Sequence, residues 1–228
     1  MSDELALEPP PGSFEVKRAA HQEIGQIWAS IFFAPEAKTP KTLLVTSAER
    51  QEGATQIAAA LAILGAQSNA ELRVLLVDFN LHQPRLADVL DIQPTIGLAE
   101  VIRGEAKLDQ AICDTGLPNL GLLPAGQQVD RPLGLLRSER LRTIMEELRQ
   151  NEQVDHVIID TAAANGHPEA QTLAGLVDGV LLVTRAGVTR RESVAEAKKR
   201  IEQNQGRLLG VVLNQRRFPI PGFLYRRL

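Results

Sequence analysis

The stretch TSAERQEGATQIAAALA, Thr46–Ala62, decides how this chain is read. It follows an apolar run, TLLV from Thr42, and leads into alanines and leucines of helical character. A strand, a tight loop with glycine and then a helix is the layout that cradles phosphate on backbone amides. That loop is usually written GxxxxGK followed by serine or threonine. Here the first glycine slot is not glycine and Ala54 occupies the lysine slot, whereas Gly53 and the hydroxyl of Thr55 are kept.

Outward from this loop, further apolar runs recur: RVLLVD from Arg73, LGLLPA from Leu120, HVIID from His156, GVLLVT from Gly179 and LLGVVLN from Leu208. They are continuous rather than alternating, as strands buried on both faces must be. Helical stretches lie between most of them, which predicts an α/β fold: a doubly wound, mostly parallel sheet with helices on both faces. The segment from Pro84 to Thr115 reads as two or three short helices. Residues Glu15 to about Phe33 read as a helix with Ile24, Ile27, Trp28, Ile31 and Phe32 on one face, ended by Ala34-Pro35. In an open parallel sheet, ligands bind at the carboxyl ends of strands. Two strands end there in carboxylates, Asp78 and Asp160, where a magnesium ion and its waters would be held beside a phosphate loop. A lone strand-end aspartate is also an ordinary helix cap or turn former.

At 228 residues and 44% apolar composition the chain supports one globular domain, expected over 15–214. Residues 1–14, with three consecutive prolines, read as a disordered arm, and 215–228 as a basic and apolar tail. The net charge of −3 gives no pull toward nucleic acid. A single cysteine, Cys113, and no signal peptide point to a reducing cytoplasm. The longest apolar stretch, Ile57 to Ala66, is too short to span a bilayer. The four histidines, His21, His82, His156 and His167, lack metal-ligand spacing with one another or with Cys113, and each is expected at the surface or a strand edge. TRRESVAEAKKRIEQ reads as a solvated helix face.

The ordered segments VTSAERQEGATQIAAALA, RVLLVDFNLHQPRL, GLAEVIRGEAKLDQAI, LGLLPAGQ, HVIIDTAA, LVDGVLLVTRAGVTRRESV and LLGVVLN together resemble the cytoplasmic domain of the bacterial tyrosine kinases of capsule and exopolysaccharide synthesis. These belong with the MinD and ParA proteins among the deviant P-loop ATPases, and the likeness runs from about His21 to Asn214. It implies a P-loop fold and ATP or ADP with magnesium. The nucleotide would be bound by Glu52, Gly53, Ala54, Thr55, Gln56 and Asn214, the last at the adenine edge. The metal would be bound by Thr55, Asp78 and Asp160. It also implies a membrane polysaccharide copolymerase as partner, hence a cytoplasmic protein peripheral to the inner membrane.

The departures fall where the chemistry should be. Against the family pattern VTSAxPGEGKSTxAxNLA, the lysine falls on Ala54, a glycine on Gln51 and a proline on Arg50. Asn80 replaces the second aspartate of the next motif, and His82 and Gln83 replace its arginine pair. Ala162 and Ala163 replace two prolines after Asp160. The family's ExxRxxR ring-assembly pattern becomes Glu23, Gln26 and Ala29, and the C-terminal tyrosine cluster shrinks to Tyr225. Glu169 aligns with an acidic position of the family, or serves only the helix dipole. Loss of two charge-assisted lysine contacts costs roughly 3–6 kcal/mol, or about 10²–10⁴ in affinity or rate.

The expected protein is therefore a degenerate, non-catalytic relative with vestigial Asp78 and Asp160, weak nucleotide binding at most, and a monomeric or dimeric state. The alternatives are an active tyrosine kinase in which Arg50 replaces the lysine, and a positioning ATPase of the ParA and MinD kind. The tail QRRFPIPGFLYRRL is expected to dock on an anionic membrane surface or a membrane partner, or else to fold back on the sheet edge.

Overall fold

Runs such as Leu43–Val45 and Val157–Ile159 are apolar at every position, so both faces of the strands they form must be covered. The computed structural model meets that demand; it describes residues 18–33, 39–127, 129 and 132–216. In chain order the elements are α1 (Arg18–Phe32), β1 (Thr42–Ser47), α2 (Ala54–Ser68), β2 (Val74–Asp78), α3 (Leu86–Val89), α4 (Leu98–Arg103), α5 (Leu108–Ala111) and β3 (Cys113–Asp114). They continue with β4 (Leu120–Leu123), α6 (Pro132–Leu136), α7 (Glu139–Gln150), β5 (His156–Asp160), α8 (Pro168–Ala174), β6 (Gly179–Arg185), α9 (Arg191–Gln203) and β7 (Leu208–Asn214). The expected arm over 1–14 lies outside the described residues, as does all of the expected tail except Gln215 and Arg216.

The strands form one sheet in the order β3-β4-β2-β5-β1-β6-β7. Every neighbouring pair is parallel except β3 with β4. The six expected strands are all present. The two-residue β3 was not anticipated, because Cys113–Asp114 is too short to carry any pattern. The segment after Pro84 forms the three short helices α3, α4 and α5.

Two apolar layers flank the sheet. Leu44, Leu75, Val77, Val157, Ile159 and Leu182 face α4 and α6–α9. Leu43, Val45, Leu76, Ile158, Leu181 and Val183 face α1–α3. Alternate residues of one strand thus serve opposite layers, which is why the runs show no polar alternation. Helix α1 lays its apolar face mainly on α2. Trp28 lies over Gly65 of α2, where any added Cβ would overlap the indole ring. The same ring meets Phe32 at 4.2 Å and the edge of His156 at 5.6 Å. α1 therefore covers α2, and its Trp28 and Phe32 also reach His156 at the start of β5.

Candidate functional site

The loop between β1 and α2 makes two left-handed turns, at Gln51 (φ 63°) and Gly53 (φ 93°). Gln51 stands where the family pattern has glycine; the backbone takes the glycine-like conformation regardless, at a cost of about 1 kcal/mol. Gly53 is needed twice over, because a Cβ there would also collide with the side-chain amide of Asn214. Glu52 turns inward and is buried. Its Oε2 accepts the Glu49 N–H at 2.9 Å, and its Oε1 accepts the hydroxyl of Thr189, which itself accepts the Arg185 N–H at 2.9 Å. Asn214 Nδ2 donates to the Glu52 carbonyl at 2.8 Å, while its Oδ1 accepts the Gln215 N–H. The loop is thus pinned to the β6–α9 turn and to the end of β7. Its amides at Arg50, Gln51, Glu52 and Gly53 have no partner among the described residues. With the first turn of α2 they are unpaired donors gathered at a helix start, the kind of group that binds anions.

Ala54 opens α2 and is buried in the α1–α3 apolar layer. It offers no charge toward the loop. The loop's own cation, Arg50, donates to Gln83 Oε1 at 2.8 Å, across to the segment after β2. Gln56 lies exposed on the first turn of the helix.

Thr55 Oγ1 donates to Asp160 Oδ2 at 2.8 Å. The other oxygen of Asp160 is buried without a partner. Asp78 sits beside Asp160 in register across β2 and β5. Its Oδ1 accepts the Asn80 N–H, and its Oδ2 accepts those of Arg85 and Leu86, each at 3.0 Å. Burial pushes the Asp78 carboxyl up to about 6 against the pull of these three amides. Burial, and then the charge of Asp78, push Asp160 well above the usual carboxylate range, against the hydroxyl of Thr55. Two adjacent carboxyls short of positive charge form a place where a hard cation is favoured. Thr55 and the free oxygen of Asp160 are donors of the kind magnesium takes. Both carboxylate oxygens of Asp78 are already engaged by the backbone.

The expectation that the histidines stand apart is corrected here. His82, after β2, and His167, before α8, lie with ring centroids 4.1 Å apart. His82 Nε2 approaches Glu169 Oε1 at 2.6 Å. They are far apart in sequence, and only the pairing of β2 with β5 joins their loops. His156 is half-buried against Trp28 and Phe32, and His21 is exposed, as a surface or strand-edge reading requires.

A parallel sheet, a strand–loop–helix anion cradle at its carboxyl edge and two strand-end carboxylates beside it define a P-loop nucleotide-binding fold. No protein-family model matches the chain. The tyrosine-protein kinase CpsD of Streptococcus agalactiae serotype III is 32% identical over 179 residues, which is 78% of this chain and 75% of that protein. The chain belongs to this family of bacterial tyrosine kinases. The crystal structure of the chimerical protein CapA2B2 superposes with a TM-score of 0.81 at 27% identity, covering 89% of this chain and 87% of the other. The septum site-determining protein MinD of Pyrococcus horikoshii, complexed with Mg-ADP, shares the fold at a TM-score of 0.65 and 22% identity, over 82% of this chain and 76% of that one.

Proposed function

We propose that this chain is a non-catalytic member of the tyrosine-kinase family, acting as a structural or regulatory component of capsule or exopolysaccharide synthesis and export. The observation that carries the reading is Ala54: the slot for the phosphate-binding lysine holds a buried methyl group, and Arg50 is engaged with Gln83. Phosphoryl transfer depends on that cation more than ground-state binding does. What is kept, the free loop amides and the Thr55–Asp160 pair, supports weak binding of ATP or ADP with magnesium. In this reading Glu52, Gly53, Ala54, Thr55 and Gln56 line the phosphates. Asn214 braces the loop from the adenine side, and Thr55 and Asp160 hold the metal with Asp78 behind them. Magnesium, when bound, neutralises phosphate charge; the protein's own part is to orient the phosphates on fixed amides.

The proposed setting is cytoplasmic, peripheral to the inner membrane, with a membrane polysaccharide copolymerase as partner and the tail after Asn214 as the docking element. The proposed state is monomer or dimer, since Gln26 and Ala29 stand in place of the ring-forming arginines. The retained amides and the Thr55–Asp160 pair also favour one second reading, an active kinase in which Arg50 leaves Gln83 and serves as the cation.

Calorimetric titration with a non-hydrolysable ATP analogue and magnesium, on the parent and on Ala54→Lys, tests the first reading. Weak binding by the parent is expected, tightened by about 10²-fold in the variant. Radiolabelled ATP should leave Tyr225 unmodified in the parent; stoichiometric label on that tyrosine establishes the active kinase instead.

A further inference from the structure

Three side chains left over from the nucleotide site converge beside it. His82 comes from the loop after Asp78, and His167 and Glu169 come from the loop after Asp160 and the start of α8. One ligand atom from each lies within 4.8 Å of the other two. Glu169 is fully buried, yet neither carboxylate oxygen makes an aligned hydrogen bond. The 2.6 Å approach of His82 Nε2 to Oε1 is its ion-pair contact. The ring nitrogens of His167 have no hydrogen-bond partner among the described residues, although the ring lies against that of His82. A buried carboxylate without hydrogen bonds is costly, and two imidazoles add electron pairs rather than positive charge unless one is protonated. A cation at the convergence point resolves all three deficits together.

We propose that His82, His167 and Glu169 form a binding site for a late first-row divalent transition ion, of which zinc is the representative. Two imidazole nitrogens and one carboxylate oxygen are the donor set such ions take when they keep an open position, whereas magnesium takes oxygen. Zinc–ligand bonds of about 2.0–2.2 Å place tetrahedral donors about 3.3 Å apart. His82 and Glu169 therefore part slightly and His167 closes in, a change within reach of side chains on two loops and the first turn of α8. Both histidines are partly exposed, so the fourth position faces solvent. The ion ties together the two loops that carry Asp78 and Asp160, beside Gln83, the partner of Arg50. The proposal stands whether or not nucleotide binds.

The test uses tag-free full-length protein stripped with a chelator. Zinc chloride is titrated calorimetrically, and cobalt(II) is added in parallel to read the visible band of a tetrahedral site. One zinc per chain is expected, with a rise in Tm, and magnesium should not compete. His82→Ala, His167→Ala and Glu169→Gln should each weaken zinc by more than about tenfold, since even groups supporting a ligand are worth that much. His21→Ala and Cys113→Ser should leave it unchanged. The two histidine variants alter partly exposed side chains, so they keep the test decisive if Glu169→Gln folds poorly. Absence of binding at submillimolar zinc, or binding that survives both histidine variants, overturns the proposal and leaves His82–Glu169 as an ion pair only.

Discussion

Helix α2 meets the rest of the protein in two different ways. Around Gly65 it is closed over by Trp28 of α1, ring against backbone, among Ile24, Leu61 and Leu64. At Gly53–Thr55 the same helix opens onto unpartnered amides, a left-handed Gln51 and two crowded carboxyls. Seven buried side-chain polar atoms lack hydrogen-bond partners among the described residues, and five of them belong to Asp160, Thr161, Asn165 and Glu169. One end of the helix is organised for packing. The other holds unmet charge and unmet donors, the condition that ligands relieve. Unmet charge and donors of this kind lower the stability of a folded protein, the trade that pre-organised binding sites make.

The largest expected effect is on pH dependence. The folded pKa of Asp78, about 6, lies above its ordinary value of 3.8. The folded protein therefore keeps a proton that the unfolded chain has shed between those pH values. The stabilisation is fully present below about 4 and is withdrawn as pH climbs through 6, at about 3 kcal/mol. Asp160 shifts in the same direction, partly through the charge of Asp78. Asp160→Asn keeps an acceptor for Thr55 and removes one of the two charges. Its advantage over the parent in urea midpoint should be absent near pH 4 and should grow toward pH 8. A constant difference across that range would mean that neither burial nor the neighbouring Asp78 raises the Asp160 carboxyl.

The opposite end of α2 supplies the next effect. Gly65→Ala, which raises intrinsic helix propensity, should nevertheless cost about 2–3 kcal/mol, because the added methyl overlaps the buried indole, which must shift to admit it. Chemical denaturation and the emission of the single tryptophan read this out; an unchanged midpoint with a blue-shifted, buried indole would show that α1 floats on α2.

The smallest stability effect is at the loop. Gln51→Gly should stabilise by about 0.5–1 kcal/mol, since glycine adopts φ 63° without strain. The gain should appear as a rise in Tm at unchanged m-value, and a loss instead would mean that the loop is not left-handed there. Ala54→Lys sharpens the contrast from the ligand side: it restores a cation to the family's lysine slot at the start of α2, so nucleotide affinity should rise far more than thermal stability.

The sequence by itself determined the sheet, its buried strands, the strand–glycine–helix junction and the strand-end positions of Asp78 and Asp160. Each of these depends on neighbours along the chain. A strand covered on both faces must be apolar throughout, and a strand–glycine–helix junction has few other conformations. The same local reading located the apolar stripe of α1 through Trp28, Ile31 and Phe32. It could not say whether that stripe would meet the sheet or α2, because two apolar surfaces attract without direction. Nor could it see that three backbone amides occupy Asp78, or that Gln51 accepts a conformation suited to glycine. Tertiary structure alone decided that β2 lies against β5. This long-range pairing places Asp78 beside Asp160 and brings His82 to His167 and Glu169, residues whose spacing along the chain carries no sign of a shared site.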